Sequence, residues 1–507
     1  MTLRFYNSLT GQVEEFKPLE GRKVRIYTCG LTVYDYGHIG NYRTFVFQDI
    51  LRRFLKYRGY EVQQVMNLTD VDDKTIRNAQ AAGLSLRDYT TKFIEAFHVD
   101  RQLLNLENPE IVVRATDHIA DMVELVRQLE EKGYAYRSDG SIYFRVEKFK
   151  EYGKLSRIDF SGIRAGARVD SDDYDKASAR DFVLWKAAKE GEPFWETPLG
   201  PGRPGWHIEC SAMAMKYLGT TFDIHSGGSD LVFPHHENEI AQSEAATGQP
   251  FVRYWLHAEH LVVNGEKMSK SLGNFFTLRD LITKGAKPTA IRYLLASVPF
   301  RKPLNFTFEG LHQAQHSLER LRNFRYRLTR EVFPPGSNPD LGARAQGAVQ
   351  AFEEALDDNL NTAAALAAVF DLVRDANTAM DGGQFRADDC PAFMEALERW
   401  DRMFAVLEDD DHAKLRQLGF IRTVEKTLTG DAVLAKEREA APGIGNGYAA
   451  PVLAEALSEG QIEKEIAERD SARRRGDFAR ADEIRANLLK AGVILEDTKA
   501  GTRWKRK

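Results

Sequence analysis

The chain has 507 residues, 43% of them hydrophobic, and its 70 Lys and Arg nearly balance 75 Asp and Glu, for a net charge of -5. That length calls for about three or four domains, and the even charge balance points to no particular partner. No apolar run reaches membrane-spanning length, the first residues lack an apolar signal segment, and Cys29, Cys210 and Cys390 are too few and too scattered for a disulfide framework, so a reducing, cytoplasmic setting is expected.

Residues 24–27 alternate like a strand. The stretch Cys29-Gly-Leu-Thr-Val-Tyr-Asp-Tyr-Gly-His-Ile-Gly-Asn41 follows, then Phe45, Ile50, Leu51, Phe54 and Leu55 at helical spacing. His38 and Gly40 therefore sit at a helix start, where unpaired N–H groups and the helix dipole favour phosphate. Gly40 also lets a ligand approach the backbone closely. Residues 61–67 form a second strand, so the first 110 residues read as βα units of a parallel sheet. Thr69-Asp70-Val71-Asp72-Asp73-Lys74 closes that strand, either as a capped helix start or as a ligand loop at the carboxyl edge of the sheet.

From about 110 to 200 the pattern changes. Residues 134–136 and 141–146 predict a hairpin, 170–175 form an acidic segment, and the whole reads as an insertion. Short strands and glycine loops then return. Phe222-Asp223-Ile224-His225 runs into Gly227-Gly228-Ser229-Asp230, a helix is expected to start near Pro234, and residues 254–257 and 261–263 lead into Lys267-Met268-Ser269-Lys270-Ser271. Beyond about 305 the chain reads as helical. Leu366, Val369, Phe370 and Val373 share one face, as do Leu397, Trp400 and Phe404, which marks bundle cores. A proline-rich loop covers 334–339, a glycine-rich linker 441–451, and from Gln461 onward Lys and Arg outnumber Asp and Glu.

Six of the twelve histidines lie between His207 and His260. His235 and Glu239 are four apart and share a helix face; Cys210 and Cys29 could join them in a four-ligand site of a kind zinc suits. Spacing alone leaves a second reading open, two buried cysteines beside a solvated His/Glu face, because no Cys-x-x-Cys pair is present. Cys390 reads as an ordinary residue at a helix boundary. The two lysines of 267–271 suit a loop closing over polyphosphate, although such loops are commonly plain surface.

His38-Ile39-Gly40-Asn41 followed by Lys267-Met268-Ser269-Lys270-Ser271 resembles the paired HIGH and KMSKS signatures of class I aminoacyl-tRNA synthetases. The match narrows to the cysteinyl-tRNA synthetase family through 29–41, 67–74, 114–119, 202–210, 222–239, 267–276 and the ending Gly501-Thr502-Arg503-Trp504. It spans the chain and is weakest at 410–460. The one departure is Asn41 in place of His; Asn can still donate to phosphate but carries no charge. A rival, a ligase passing cysteine to a small amine, belongs with chains truncated after the core.

The resemblance implies an α/β fold: a Rossmann-type parallel-sheet catalytic core split by an insertion, followed by an α-helical bundle and a small C-terminal module. The corresponding boundaries are 1–112 and 201–255 for the two halves of the core, 113–200 for the connective insertion, and 256–310 for a stem-contact region with the KMSKS loop. The bundle covers 311–410, a variable segment and linker 411–460, and a basic anticodon-side module 461–507. The implied substrates are L-cysteine, ATP with Mg2+, and tRNA(Cys), with no membrane and a monomer as the working state. Cys29, Cys210, His235 and Glu239 are implied to bind one Zn2+ that recognises the cysteine thiol. His38, Asn41, Lys267 and Lys270 are implied to be catalytic. Gly40, Asp230 and Lys270 would hold ATP, with Asp230 on the ribose, and Thr69, Trp206 and His225 would lie at the amino-acid site. In the C-terminal module Arg473, Arg474, Arg475, Lys505, Arg506 and Lys507 would meet phosphate, and Trp504 could stack on a base.

Overall fold

Val24, Ile26 and Tyr27 are all buried because the strand that carries them, Lys23–Thr28, has a parallel neighbour on either side. A strand covered on both faces reads as apolar rather than alternating. The computed structural model describes residues 2–158, 180–420, 425–429, 432–436, 459–490, 493–498 and 501–506. Its central sheet is five-stranded and parallel, in the spatial order Val252–Ala258, Phe222–Gly228, Lys23–Thr28, Glu61–Leu68, Ile111–Arg114. The chain builds outward from Lys23–Thr28 in one direction, then returns to its other side. The strand order thus reverses between Lys23–Thr28 and Phe222–Gly228, and ligands in open α/β sheets bind beyond the carboxyl ends at such a reversal.

The helix Ile39–Tyr57 makes the first crossover and buries Phe45, Ile50, Leu51, Phe54 and Leu55 against the sheet side of the molecule. Its start is fixed by a reciprocal cap between His38 and Asn41. Lower on the same helix, Asp49 accepts from the fully buried Arg292 at 2.5 Å, and Arg292 also donates to the Met403 carbonyl at 3.2 Å. The helix that opens with His38 is therefore tied to the end of the bundle helix Cys390–Phe404.

The connective insertion contains a four-stranded antiparallel sheet, Ala135–Ser138, Ser141–Phe144, Phe182–Ala187 and Gly202–Pro204. The predicted hairpin is its first pair; the last strand falls just beyond residue 200, and Ile111–Arg114 of the central sheet runs across residue 112. The acidic residues 170–175 and the linker at 441–451 lie outside the described residues. Leu261–Val263 pairs with Glu266–Lys267 and Leu304–Phe306, which anchors the loop that follows Lys267. The bundle consists of Phe308–Arg330, Pro339–Asp357, Thr362–Asp381 and Cys390–Phe404. Leu366, Val369, Val373, Leu397, Trp400 and Phe404 are buried in it, as their spacing requires, whereas Phe370 is only half-buried, under Arg320.

The helix expected near Pro234 begins three residues later, as Glu237–Thr247, after a wider π-type turn over Val232–His236. A hairpin of Arg4–Asn7 with Gln12–Glu15 was not anticipated, since four-residue strands carry little periodicity. Residues 1–411 form one compact unit and 412–507 another. In the second, Glu459–Arg474 and Phe478–Lys490 pack with the hairpin Val493–Thr498/Gly501–Arg506 around Ile462, Ile484, Leu488, Val493 and Leu495. No helix among the described residues is long and apolar enough to cross a membrane.

Candidate active site and metal centre

A cavity of 860 Å³ opens at the reversal of strand order. Its floor holds Cys29, at the end of the central strand, and Cys210, from the helix Trp206–Leu218. His235 comes from the turn before Glu237–Thr247, and Glu239 from the first turn of that helix. Cys29 Sγ stands 4.0 Å from Cys210 Sγ and 4.0 Å from Glu239 Oε1, and His235 Nε2 is 3.1 Å from Glu239 Oε1. The four ligand atoms lie within 4.8 Å of one another, and all four residues are buried. Tetrahedral zinc with bonds of about 2.0–2.3 Å needs ligand atoms roughly 3.3–3.8 Å apart, so this donor set fits one ion with small adjustments.

The electrostatics fit as well. Burial opposes charge on His235, yet Cys210 and Glu239 outweigh it and lift its pKa to about 10. Burial likewise disfavours the Glu239 carboxylate, but His225 and His235 bring it down to about 2. Cys210, despite burial, is drawn down to about 6 by its contacts with Cys29 and His235, while burial and Cys210 push the Cys29 thiol up. The cluster thus stores negative charge against protons, and a divalent cation can take the protons' place.

A second set, Cys29, His225, His236 and Glu239, meets the same distance limit. In it His236 Nε2 stands 3.4 Å from Cys29 Sγ. His225 Nε2 is 2.9 Å from Glu239 Oε2, and His236 Nδ1 is 2.8 Å from His257 Nε2. His225 orients Glu239 from behind, as His207 orients His235 when its Nδ1 meets His235 Nδ1 at 2.9 Å. The histidine-rich stretch 207–260 signalled this shell; the partners of each ring were not readable from spacing.

Trp206 lines the cavity and stacks on His235 with ring centroids 4.2 Å apart. Thr69 also lines it, accepting from Asn67 Nδ2 at 3.2 Å and donating to Glu209 Oε2 at 3.0 Å. His225 is placed differently: it is fully buried behind Glu239 and is not part of the cavity wall. Asp230 does face the cavity, and Gly228 leaves room for it, since a Cβ there would meet Asp230 Oδ1 at 2.2 Å.

At the other end of the cavity, His38 Nδ1 accepts the Asn41 backbone N–H at 3.2 Å, and Asn41 Oδ1 accepts the His38 backbone N–H at 3.0 Å. The ring proton of His38 is thereby fixed on Nε2. Burial lowers the His38 pKa to about 4, so the ring is a neutral donor. A Cβ on Gly40 would lie 3.0 Å from the His38 ring and 3.4 Å from Met268 Cε, a tight fit. The loop containing Met268 thus rests on the helix start, and Ile39 N donates to Phe276 O at 3.0 Å just beyond it. Lys267 lines the cavity; Lys270 pairs with Asp35 at 2.7 Å and sits 5.1 Å over the Phe275 ring.

A cysteine-rich cluster and a His/Lys cluster therefore share one cavity. Residues 15–316 match the family model for tRNA synthetases class I (C) catalytic domain, and 351–408 match the DALR domain. Along its whole length the chain is 53% identical to the cysteine–tRNA ligase of Koribacter versatilis and 54% identical to that of Solibacter usitatus, each covered to 100%. The chain belongs to the cysteine–tRNA ligase family. It is accordingly a class I aminoacyl-tRNA synthetase, and members of this family join cysteine to tRNA at the expense of ATP. Among solved structures, a Mycobacterium tuberculosis methionyl-tRNA synthetase in complex with methionyl-adenylate aligns with a TM-score of 0.59 at 16% identity, covering 79% of this chain and 94% of that one. That likeness is one of fold, and it agrees with the reversed parallel sheet and the helical region after it.

Proposed function

We propose that this chain charges tRNA(Cys) with L-cysteine through a cysteinyl adenylate, and that it selects the thiol with one zinc ion held by Cys29, Cys210, His235 and Glu239. The observation that carries the reading is that Cys29, Cys210 and His235 of this buried four-ligand cluster line the same cavity as His38, Gly40 and Lys267. A zinc ion there supplies a Lewis-acidic, sulfur-rich partner that favours a thiolate over a serine hydroxyl.

The remaining chemistry falls to the chain's own residues. Trp206 and Thr69 bound the cysteine end, and His225 holds Glu239 in place. With cysteine's sulfur at the cluster, its carboxylate points along the cavity toward the α-phosphate of ATP, which enters with Mg2+. The carboxylate attacks phosphorus in line and pyrophosphate leaves. His38 donates from Nε2 to phosphate oxygen, the Gly40 backbone lets the phosphates approach the helix start, and Lys267 and Lys270 meet charge on the departing pyrophosphate. Asn41 holds His38 in register, and Asp230 accepts from the ribose hydroxyls. In the second step a hydroxyl of the terminal adenosine attacks the activated carbonyl, and AMP leaves.

The bundle and the 461–507 module would carry the tRNA. In that module Arg473 pairs with Asp497 at 3.0 Å, so a phosphate would compete with an internal carboxylate there. A cytoplasmic monomer is the working state proposed. Cysteine-dependent exchange of pyrophosphate into ATP, run with metal analysis on the same sample and followed by transfer to tRNA(Cys), tests the reading. Exchange, charging and about one zinc per chain are expected; a zinc-loaded chain without exchange, or transfer only to an amino sugar, overturns it.

A further inference from the structure

The loop that carries Lys270 stands on two feet of unequal strength. The first is the two-residue strand Glu266–Lys267, exposed along its length. From Met268 to Phe276 every residue is half-buried or exposed. Asn274 closes this stretch on itself: its Oδ1 accepts from Ser269 N at 2.8 Å, and its Nδ2 donates to the Lys267 carbonyl at 3.2 Å. The tip is therefore a closed turn, not a slack segment. Burial resumes at Thr277, Leu278 and Arg279, where Thr277 pairs with His38 and the short helix Leu278–Thr283 begins.

Arg279 holds this second foot. Its Nε stands 3.1 Å from Asp100 Oδ1, and its Nη2 donates to the Ala96 carbonyl at 3.2 Å; both partners belong to the helix Leu86–Leu103. Its guanidinium lies 4.8 Å from the centre of the Tyr36 ring, two residues before His38. The other oxygen of Asp100 accepts from Tyr42 Oη at 2.7 Å, and Tyr42 sits in the first turn of the helix that opens after His38. Arg279, Asp100 and Tyr42 are all buried. One guanidinium thus grips the chain on both sides of His38, and a buried ion pair of this kind is costly to separate, because either charge alone would be left uncompensated. The contact at the tip, Lys270 with Asp35, faces solvent, where such pairs are weak. The foot is fixed while the tip can exchange partners.

We infer that Arg279 is a positioning residue for adenylate formation: by clamping the second foot of the loop to the segments that flank His38, it fixes where Lys270 stands when pyrophosphate leaves. This rests on the role proposed above for Lys270. Arg279 does not line the cavity, so its effect reaches the reaction only through the loop.

The test measures single-turnover adenylation in the full-length chain for Arg279→Gln, Lys270→Ala and the double variant. Arg279→Gln should slow adenylate formation about ten- to hundredfold, since a displaced group loses its alignment with the reacting atoms, with the KM for cysteine and the zinc content unchanged. The double variant should be no slower than Lys270→Ala, because removing the lysine already forfeits what the clamp provides. A packing defect would act independently of the lysine, and the two losses would multiply. If Arg279→Gln does not fold, Asp100→Asn removes the charge while keeping an acceptor for Tyr42, and the same comparison with Lys270→Ala applies. A wild-type rate in the variant used, or losses that multiply, overturns the inference alone. A wild-type rate in Lys270→Ala overturns it together with the role of that lysine.

Discussion

His38 and Asn41 each satisfy the other's backbone: the ring accepts from the Asn41 amide at 3.2 Å, and the Asn41 side chain accepts from the His38 amide at 3.0 Å. The asparagine that departs from the HIGH pattern thus has a structural task, that of a capping box. Asn41→Ala should cost about 1 kcal/mol in stability and lower the rate of adenylation about tenfold, with the KM for cysteine unchanged. Asn41→Gln keeps an amide acceptor and should recover much of the loss. Urea unfolding and single-turnover adenylation check both; a fully active, equally stable Asn41→Ala would show that the cap is incidental.

Metal removal should act at the other end of the cavity. Cys210→Ser or His235→Ala takes one of four ligands away, so zinc content should fall and the KM for cysteine should rise at least tenfold, as loss of part of a metal's ligand environment commonly does. Chelator treatment of the wild type should reproduce the effect, and added zinc should reverse it there but not in the variants. Normal zinc content and normal cysteine use in Cys210→Ser would refute the assignment.

Lys270→Ala should spare cysteine binding and slow adenylation by about 100-fold or more, the usual cost of removing one group aimed at developing charge. Rapid-quench measurement of adenylate formation separates the two effects. Wild-type single-turnover rates would contradict the assigned role.

The pH dependence of stability follows from His257, which burial lowers to about 3, with the charge of His225 acting in the same direction. Below about 6.5 the unfolded chain binds a proton on this residue that the folded chain refuses. Stability must therefore fall as the pH drops, by about 1 kcal/mol from this one group between pH 6.5 and 5.5, the slope approaching about 1.4 kcal/mol per pH unit below that. Urea midpoints measured between pH 6.5 and 5.5 should show the slope, and His257→Gln should reduce it. An unchanged slope in the variant would mean that other groups set the acid limit.

The parallel core was legible because 24–27 alternates like a strand and a helical run separates it from the strand-like 61–67, the pattern of a βα unit. His38 and Gly40 were legible because a helix start after a strand has few physical uses. The metal ligands were not, on spacing alone: Cys29 and Cys210 are 181 positions apart, and only the crossing of Trp206–Leu218 over the central strand brings them to 4.0 Å. His225 shows the same limit. The resemblance placed it at the amino-acid site, whereas its ring meets Glu239 and it is not part of the cavity wall.

The contact between Lys270 and Asp35 has a bearing on how ATP is held. This lysine has a counter-ion of its own, 2.7 Å away and half-exposed. On the proposed role of Lys270, pyrophosphate would exchange for a carboxylate instead of meeting a bare cation. The ground-state affinity that Lys270 contributes is a difference between two anions, small by construction. Its full attraction is reserved for the moment when the leaving group carries more charge than Asp35 can offer.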